Sequence, residues 1–100
     1  MPENIQATKE QLLDFFANNP LWSLQENKLH REFVFNDFVM AFGFMSQIAL
    51  IAERCNHHPE WSNIYKKVAV NLTTHETGGI SDKDFILAKE MDKIAAKICN

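Results

Sequence analysis

The apolar run from Phe38 to Ala52 constrains the fold of this chain more than any other stretch. Its apolar residues recur with the three- and four-residue spacing of an α-helix on two sides, Phe38, Phe42, Met45, Ala49 and Ala52 on one and Phe44, Ile48 and Ile51 on the other. A helix that is apolar on two sides needs two partners. The run therefore predicts a central helix, buried in the core or with one side in an oligomer interface. We favour the interface, because so small a domain has little with which to cover both sides.

Capping residues predict where this helix and two others begin and end. Asn36 is expected to cap the central helix, and Pro59 ends it near Cys55 or Asn56, because proline cannot continue the backbone hydrogen bonds. A first helix should end at about Ala17. Its capping box is Thr8 and Gln11, and its expected inward residues are Leu12, Leu13 and Phe16. A last helix should run to the chain end. Its capping signal is Ser81 and Asp84, and its apolar face is Phe85, Ala88, Met91, Ala95 and Ile98.

Two β-hairpins are predicted between these helices. In the first, Trp22 and Leu24 alternate before a turn at Gln25-Glu26-Asn27, and the inward residues that follow are Leu29, Phe33 and Phe35. Arg31 interrupts this apolar face, so we expect it near an edge or an end of the sheet. The second hairpin pairs Trp61–Tyr65 with Val68–Thr74, in which the residues expected to share a face are Val68, Val70 and Leu72.

The order helix, hairpin, helix, hairpin, helix predicts an α+β fold. Hairpins favour a four-stranded antiparallel sheet, and the three amphipathic helices should pack on one of its faces. With 100 residues, 46% of them hydrophobic, and no linker in between, we expect a single domain over residues 1–100.

Charge and cysteine usage exclude several classes of protein. The formal net charge of -3 argues against direct nucleic-acid binding, which needs a basic face. We expect no membrane segment, because the N-terminus lacks signal-peptide features and the Phe38–Ala52 run is too short to span a bilayer. Cys55 and Cys99 have no disulfide-framework spacing and are predicted to be free thiols. These features predict a cytoplasmic protein, or a nuclear one if the source is eukaryotic.

The segment ERCNHHPEW, from Glu53 to Trp61, carries the strongest chemical signal. Its adjacent histidines, His57 and His58, follow a helix end, and His75 follows a strand end, where catalytic groups often lie. Imidazole gives and takes protons near neutral pH, so a group of three around a flat ligand is suited to acid–base catalysis. The ordinary alternative, surface or capping roles for each histidine, is about as well supported as this one.

A zinc site is the second alternative. Its ligands would be Cys55, His57, His58 and His75. We disfavour it, because neighbouring histidines rarely reach one ion and no C-x-x-C or H-E-x-x-H spacing is present.

These motifs resemble the pterin-4a-carbinolamine dehydratases, also called dimerization cofactors of a hepatocyte transcription factor. The matching features are E-x-x-x-H-H-P-E-W from Glu53 to Trp61, K-V-x-V-x-L-x-T-H from Lys67 to His75, F-x-F-x-D-F from Phe33 to Phe38, A-F-G-F-M from Ala41 to Met45, Asn63, Tyr65, and the S-x-x-D start of the last helix. The resemblance implies dehydration of 4a-hydroxytetrahydropterin to quinonoid dihydropterin, without metal or organic cofactor, in recycling the tetrahydrobiopterin cofactor of aromatic amino acid hydroxylases. It also implies dimers joined through their sheets and tetramers joined through a helix bundle.

The resemblance also assigns site residues. The implied catalytic set is His57, His58 and His75, and the implied substrate-binding set is Glu53, Asn56, Trp61, Thr73, Thr74 and Lys83. We favour His58 or His75 for the leaving hydroxyl and His57 for orienting or binding the substrate. Asn56 and Lys83 depart from the aspartate and arginine common in vertebrate members, which affects charge and hydrogen bonding but leaves the histidines intact.

The catalytic interpretation has one consequence for the structure. The three histidines should converge on one cleft, with His75 facing the adjacent pair.

The alternative to an enzyme is a non-catalytic, dimer-stabilising protein of the transcriptional coactivator type. It would bind a protein partner through the second apolar stripe of the central helix, and Phe44→Asp would abolish that binding.

Overall fold

The computed structural model describes residues 5–99. The helices are α1 (Lys9–Asn18), α2 (Phe38–Cys55) and α3 (Asp82–Cys99), and the strands are β1 (Ser23–Gln25), β2 (Lys28–Val34), β3 (Glu60–Ile64) and β4 (Lys67–Leu72). A short 3-10 turn covers His75–Thr77. The order α-β-β-α-β-β-α confirms the fold class predicted from the sequence.

The four strands form one antiparallel sheet with the order β1-β2-β4-β3. Strands β2 and β4 lie in the interior, and residues 29–34 of β2 pair with the whole of β4, with Leu29 opposite Leu72 and Phe33 opposite Val68. Because side chains alternate along a strand, Val68, Val70 and Leu72 share one face as predicted, and all three are buried on the helix-covered side.

Helix α1 begins as predicted but faces the core with a different set of residues. Both halves of the capping box are formed, the Gln11 N–H donating to Thr8 Oγ1 at 3.1 Å and the Thr8 N–H to Gln11 Oε1 at 2.8 Å. The prediction that Leu13 faces inward was wrong, since this residue is 60% exposed. Phe15 is buried instead and stacks on Phe85 with the ring centres 4.7 Å apart. The inward stripe is therefore Leu12, Phe15 and Phe16, which keeps the i, i+3, i+4 spacing of one helical face.

The first hairpin closes with a tighter turn than predicted. Gln25 pairs with Lys28, so the turn consists of Glu26 and Asn27 alone, and both have positive φ (50° and 62°). Two consecutive left-handed residues give the turn type that suits the twist of a two-residue hairpin. Trp22 is buried, whereas Leu24 is half-exposed because β1 is a short edge strand.

Arg31 lies in the middle of β2, one residue beyond His30, which pairs with Ser23, the first residue of β1. Its guanidinium carbon is 4.1 Å from the centre of the Phe33 ring, and Nη1 is 2.5 Å from Asp92 Oδ1 on α3. The same carboxylate accepts the indole N–H of Trp22 at 3.0 Å. The charge that interrupts the apolar face is therefore paired across the core rather than left at a strand end.

Helix α2 ends where the sequence predicted but begins and packs differently. Its N-cap is Asp37, whose carboxylate accepts the Met40 N–H at 2.8 Å, and not Asn36. The core-facing residues are Ala41, Phe44, Ile48 and Ala52. The outer side keeps Phe38 and Phe42 exposed, at 48% and 57%. The second apolar stripe is therefore the buried one, and Phe44 cannot belong to an outer surface.

The length of α2 also corrects the expectation that this segment is too short for a bilayer. At 18 residues it is long and apolar enough, by length and composition, to cross a membrane. The core helix of a soluble protein passes the same test, and α2 packs its buried stripe into the core formed with the sheet and α3.

Replacing Asp92 with alanine should destabilise the fold. The change leaves the half-buried guanidinium of Arg31 and the buried indole N–H of Trp22 without their acceptor, so we expect a loss of about 2 kcal/mol. Urea unfolding followed by circular dichroism measures it. Lys93→Ala, which removes only the exposed pair with Glu90 on the same helix, is the control and should change stability by less than about 0.5 kcal/mol. Equal effects of the two variants would contradict the role given to Asp92.

Candidate functional site

The end of α2 sends the two adjacent histidines in different directions. Asn56 takes a left-handed conformation (φ 53°), and the N–H of His57 then bonds to the Ala52 carbonyl at 3.0 Å. This is the hydrogen bond of a helix end closed by a left-handed residue. As a result, His57 is buried, whereas His58 remains exposed. Although His57 and His58 are adjacent in the chain, the inner imidazole, His57, therefore points into the protein, and the outer imidazole, His58, points toward solvent.

The inner imidazole binds a fully buried carboxylate. His57 Nε2 lies 2.5 Å from Asp84 Oδ1, and neither side chain has appreciable solvent contact. Carboxylate oxygens accept hydrogen bonds, so this contact favours the tautomer of His57 that carries its hydrogen on Nε2. Asp84 therefore holds the ring in position and favours one tautomer.

The second oxygen of Asp84 binds two further residues, Thr74 after β4 and Ser81 before α3. It accepts the Thr74 hydroxyl at 2.8 Å and the Ser81 N–H at 2.9 Å. The hydroxyls of Thr74 and Ser81 are themselves 2.7 Å apart, and both residues are buried. Every buried side-chain polar atom among residues 5–99 has a partner, so this network is fully satisfied.

Asp84 is the residue that the sequence prediction missed as part of the site. Asp84 has the predicted capping role, since it accepts the Ser81 N–H. That role alone accounted for an acid at this position, so no second role was predicted for it. The signal that would have revealed more is its position on α3. Asp84 lies on the same face as Ala88, Met91 and Ala95, so it is an acid on the buried stripe of an amphipathic helix. An acid in that position requires a buried partner.

The outer imidazole, His58, pairs with Glu53, which lies one turn back on α2. His58 Nε2 is 2.6 Å from Glu53 Oε1, and both side chains are mostly exposed. Although Glu53 lies only one helical turn before His57, its carboxylate contacts His58 in the structure.

His75 lies in the loop after β4, directly after the buried Thr74. The loop is closed by reciprocal backbone hydrogen bonds between Thr74 and Gly79, at 2.9 and 3.2 Å, and Gly78 takes the positive φ (79°) that this closure needs. The His75 side chain is 82% exposed, and Nε2 is 3.5 Å from Glu60 Oε2 on β3. Each of the three histidines therefore has its own carboxylate.

The remaining predicted residues lie around these three. Asn56 is the left-handed cap itself and is exposed. Trp61 is partly buried on β3 and packs against the core opposite Val70. Thr73 is half-buried beside Thr74. Lys83 is half-buried in the first turn of α3, where its N–H donates to Ser81 Oγ at 3.3 Å.

A small apolar slot connects two of the predicted residues. It has a volume of about 90 Å³ and lies between α2 and α3, and His57 and Lys83 line it together with Cys55. His58 and His75 are not among its lining residues. A larger cleft of about 530 Å³ lies between α1 and α3 and contains none of the histidines. The structure thus links His57 to His75 through Asp84 and Thr74, while convergence of all three rings on one cleft stays a prediction.

The described residues do not assemble the zinc-site alternative. No group of three or more His, Cys, Asp or Glu side chains in residues 5–99 has the arrangement of a metal site. Cys55 is exposed as a free thiol, and the nitrogen of His57 that faces the interior is bound to Asp84.

Together the fold and the site define a class: a small α+β protein whose helix-backed antiparallel sheet carries a carboxylate-paired histidine group at the ends of its elements. Comparison with known proteins agrees. Residues 5–94 match the family described as pterin 4 alpha carbinolamine dehydratase.

Individual relatives match over most of their own lengths. The chain is 49% identical over 86 residues to a protein of Prochlorococcus marinus (strain NATL2A) named for this dehydratase, which covers 86% of this chain and 90% of that one. It is 56% identical over 78 residues to one of Chelativorans sp. (strain BNC1), which covers 76% and 80%. A crystal structure of a transcriptional coactivator/pterin dehydratase from Brucella melitensis superposes with a TM-score of 0.87 at 38% identity, covering 90% of this chain and 98% of that chain. This chain belongs to the pterin-4a-carbinolamine dehydratase family.

Asp84→Ala should destabilise the protein more than any change at an exposed acid of the same helix. It leaves the imidazole of His57 and the Ser81 N–H without an acceptor and removes one acceptor of the Thr74 hydroxyl, and we expect a loss of about 3 kcal/mol in urea unfolding. The matched control is Asp82→Ala, an exposed acid two residues earlier in the same turn, with an expected change within about 0.5 kcal/mol.

Asp84→Asn should in addition change the tautomer of His57. The amide presents a donor as well as an acceptor, so the preference for hydrogen on Nε2 weakens, and ¹⁵N NMR of the imidazole nitrogens detects this. An unchanged His57 tautomer in a folded Asp84→Asn protein would contradict the orienting role.

Proposed function

We propose that this protein is a 4a-hydroxytetrahydrobiopterin dehydratase. It eliminates water from 4a-hydroxytetrahydropterin to give quinonoid dihydropterin, in recycling the cofactor of aromatic amino acid hydroxylases. The observation that carries the proposal is the group of His57, His58 and His75, each beside its own carboxylate, in a chain of this family. We propose that residues 1–100 act as one such domain, in the cytoplasm or, in a eukaryotic source, also in the nucleus.

The reaction needs one proton delivered and one removed. The bond from C4a to its hydroxyl breaks, the hydroxyl takes a proton and leaves as water, the N5 proton departs, and a C4a–N5 double bond forms. An imidazolium as acid and an imidazole as base meet both needs near neutral pH without metal or organic cofactor.

The burial of the histidines supports a division of labour between them. His57 is enclosed and bound to Asp84, which suits orientation of the substrate or of its neighbours. His58 and His75 are open to solvent, so a substrate can reach them. We assign His58 or His75 to protonation of the hydroxyl, and His57 to orientation.

The substrate-binding set of the proposal lies around them. Glu53 supports His58 and Trp61 packs beside the pterin, while Lys83 and Asn56 supply charge and hydrogen bonds. Thr73 and Thr74 present backbone groups, since the Thr74 hydroxyl is engaged by Asp84.

The native protein should accelerate the decay of enzymatically generated 4a-hydroxytetrahydropterin, measured by its absorbance. His58→Ala or His75→Ala should each lower kcat by about 100-fold, the usual contribution of a positioned acid or base. The control is His30→Ala, because His30 lies on β2 and bonds to Asn71 on β4 at 2.9 Å, outside the histidine group. No acceleration by the native protein, or an equal loss in all three variants, would refute the catalytic assignment.

A second candidate function is that of a dimer-stabilising partner of the transcriptional coactivator type. The observation that favours it is the outer side of α2, where Phe38, Val39, Phe42 and Leu50 are exposed. The Brucella melitensis protein with a similar structure bears both names, coactivator and dehydratase. We propose that this surface and the sheet edges join copies of this chain into a homodimer or homotetramer, and that the α2 surface is also available to a protein partner. Neither nucleic acid nor a membrane is part of the proposal.

Phe42→Asp should weaken the proposed oligomer, because it places a charge on the exposed side of α2 that would be buried between copies. We expect a lower molar mass in size-exclusion chromatography with light scattering. Leu13→Asp is the matched control, an exposed leucine on α1 that should leave the mass unchanged. The variant Phe44→Asp tests something else: Phe44 is fully buried, so its substitution unfolds the protein. A native protein that is monomeric and captures no partner would count against this candidate.

A further inference from the structure

A lysine and a glutamate connect the sheet to His75. Lys28 at the start of β2 donates to Glu60 Oε1 at 2.6 Å, and the other oxygen of Glu60 lies 3.5 Å from His75 Nε2. Glu60 opens β3 opposite Asn71, whose neighbours Val70 and Leu72 point to the helices. By alternation, Glu60 lies on the sheet face away from the helices, and its contact with Lys28 reaches across the interior strand β4.

We propose that Glu60 is a positioning residue for His75, and that Lys28 holds the Glu60 carboxylate in the orientation that this requires. The inference rests on the proposed dehydratase function, since it gives His75 a partner comparable to those of the other two histidines. In this role Glu60 acts through His75.

The need for such a partner follows from the exposure of His75. His57 is enclosed by the fold, and His58 contacts its carboxylate at 2.6 Å. His75 is 82% exposed, and its contact with Glu60 is the longest of the three. An exposed side chain samples several rotamers unless a contact selects one. Displacement of a catalytic group by about 1 Å can lower the reaction rate by about 100-fold. The hydrogen bond from Lys28 limits the motion of the Glu60 carboxylate, and therefore also the motion of the His75 ring that contacts it.

The charge of Glu60 is maintained by the same contact. The hydrogen bond from Lys28 is the main cause that lowers the pKa of the Glu60 carboxyl from its ordinary value of 4.5, with the positive charges of Lys28 and His75 adding to it and partial burial opposing it. Glu60 is therefore an acceptor throughout the neutral range, and it favours hydrogen on the His75 Nε2 that faces it.

The test compares Glu60→Gln, Lys28→Met and the charge exchange Lys28→Glu/Glu60→Lys. The exchange preserves an ion pair between β2 and β3 but places an ammonium beside His75. We expect Glu60→Gln and the exchange to lower kcat by about 10-fold with little change in KM, and Lys28→Met to lower it less. A purely structural pair would instead lose kcat in the single variants and regain it in the exchange, which would overturn the proposal.

A matched control lies on the same sheet face. Glu32 stands between a lysine and a histidine as Glu60 does, 3.9 Å from both Lys67 and His30. Glu32→Gln should leave kcat and the His75 signals unchanged. A loss equal to that of Glu60→Gln would mean that any carboxylate on this face suffices, which contradicts a specific role for Glu60.

A second readout is independent of activity. In ¹⁵N NMR, the native His75 ring should show hydrogen predominantly on Nε2, and this preference should weaken in Glu60→Gln and in the exchange. The ¹³C titration of the Glu60 carboxyl should move up toward its ordinary pKa in Lys28→Met. Unchanged His75 nitrogens in Glu60→Gln would overturn the inference even if the enzyme is active. An inactive native protein whose His75 signals respond as expected would refute the proposed function and leave the positioning role standing.

Discussion

The buried carboxylate of Asp84 is the contact on which the rest of the site depends. Removing a carboxylate from water costs several kcal/mol, and the cost is offset only if its oxygens are well bonded. Asp84 meets this condition by bonding to His57 after α2, to Thr74 after β4 and to the backbone of Ser81 before α3. The loss of any one of these partners would leave the buried carboxylate with one hydrogen bond fewer. The fold is therefore more stable when all three segment ends stay together. The chain segments that carry His57 and His75 are joined through this carboxylate as a consequence.

Local backbone geometry then decides which imidazole enters that network. The left-handed Asn56 turns the chain at the end of α2, and Pro59 prevents the helix from continuing. His57 is thereby directed inward to Asp84, while His58 turns outward and meets Glu53. Two identical side chains, one residue apart, acquire different burial and different partners. The acid–base chemistry proposed here needs that difference, since one ring is held and the other can exchange protons with a substrate.

Much of the fold was predictable because its signals are local. The capping box at Thr8, the helix stop before Pro59 and the alternation of Val68, Val70 and Leu72 each depend on a few neighbouring residues. The errors arose where two residues compete for one role, such as Asn36 and Asp37 for the α2 cap, or Leu13 and Phe15 for the inward face of α1. The histidines were found from their type and position at element ends. The partnership of His57 with Asp84 spans 27 residues and was hidden behind a capping role that already explained the acid.

The geometry of α2 explains how one small chain can combine the two proposed functions. The proposed site begins at Glu53, whereas the exposed Phe42 lies three turns earlier on the outer side. Eleven residues of helix separate the two by roughly 16 Å along the axis. A partner or a second copy that packs on the outer phenylalanines therefore has no need to cover His58 or His75. The buried stripe of the same helix holds both regions against the sheet, so a change in the core at Phe44 would disturb both at once, whereas changes on the outer side or at the histidines act separately.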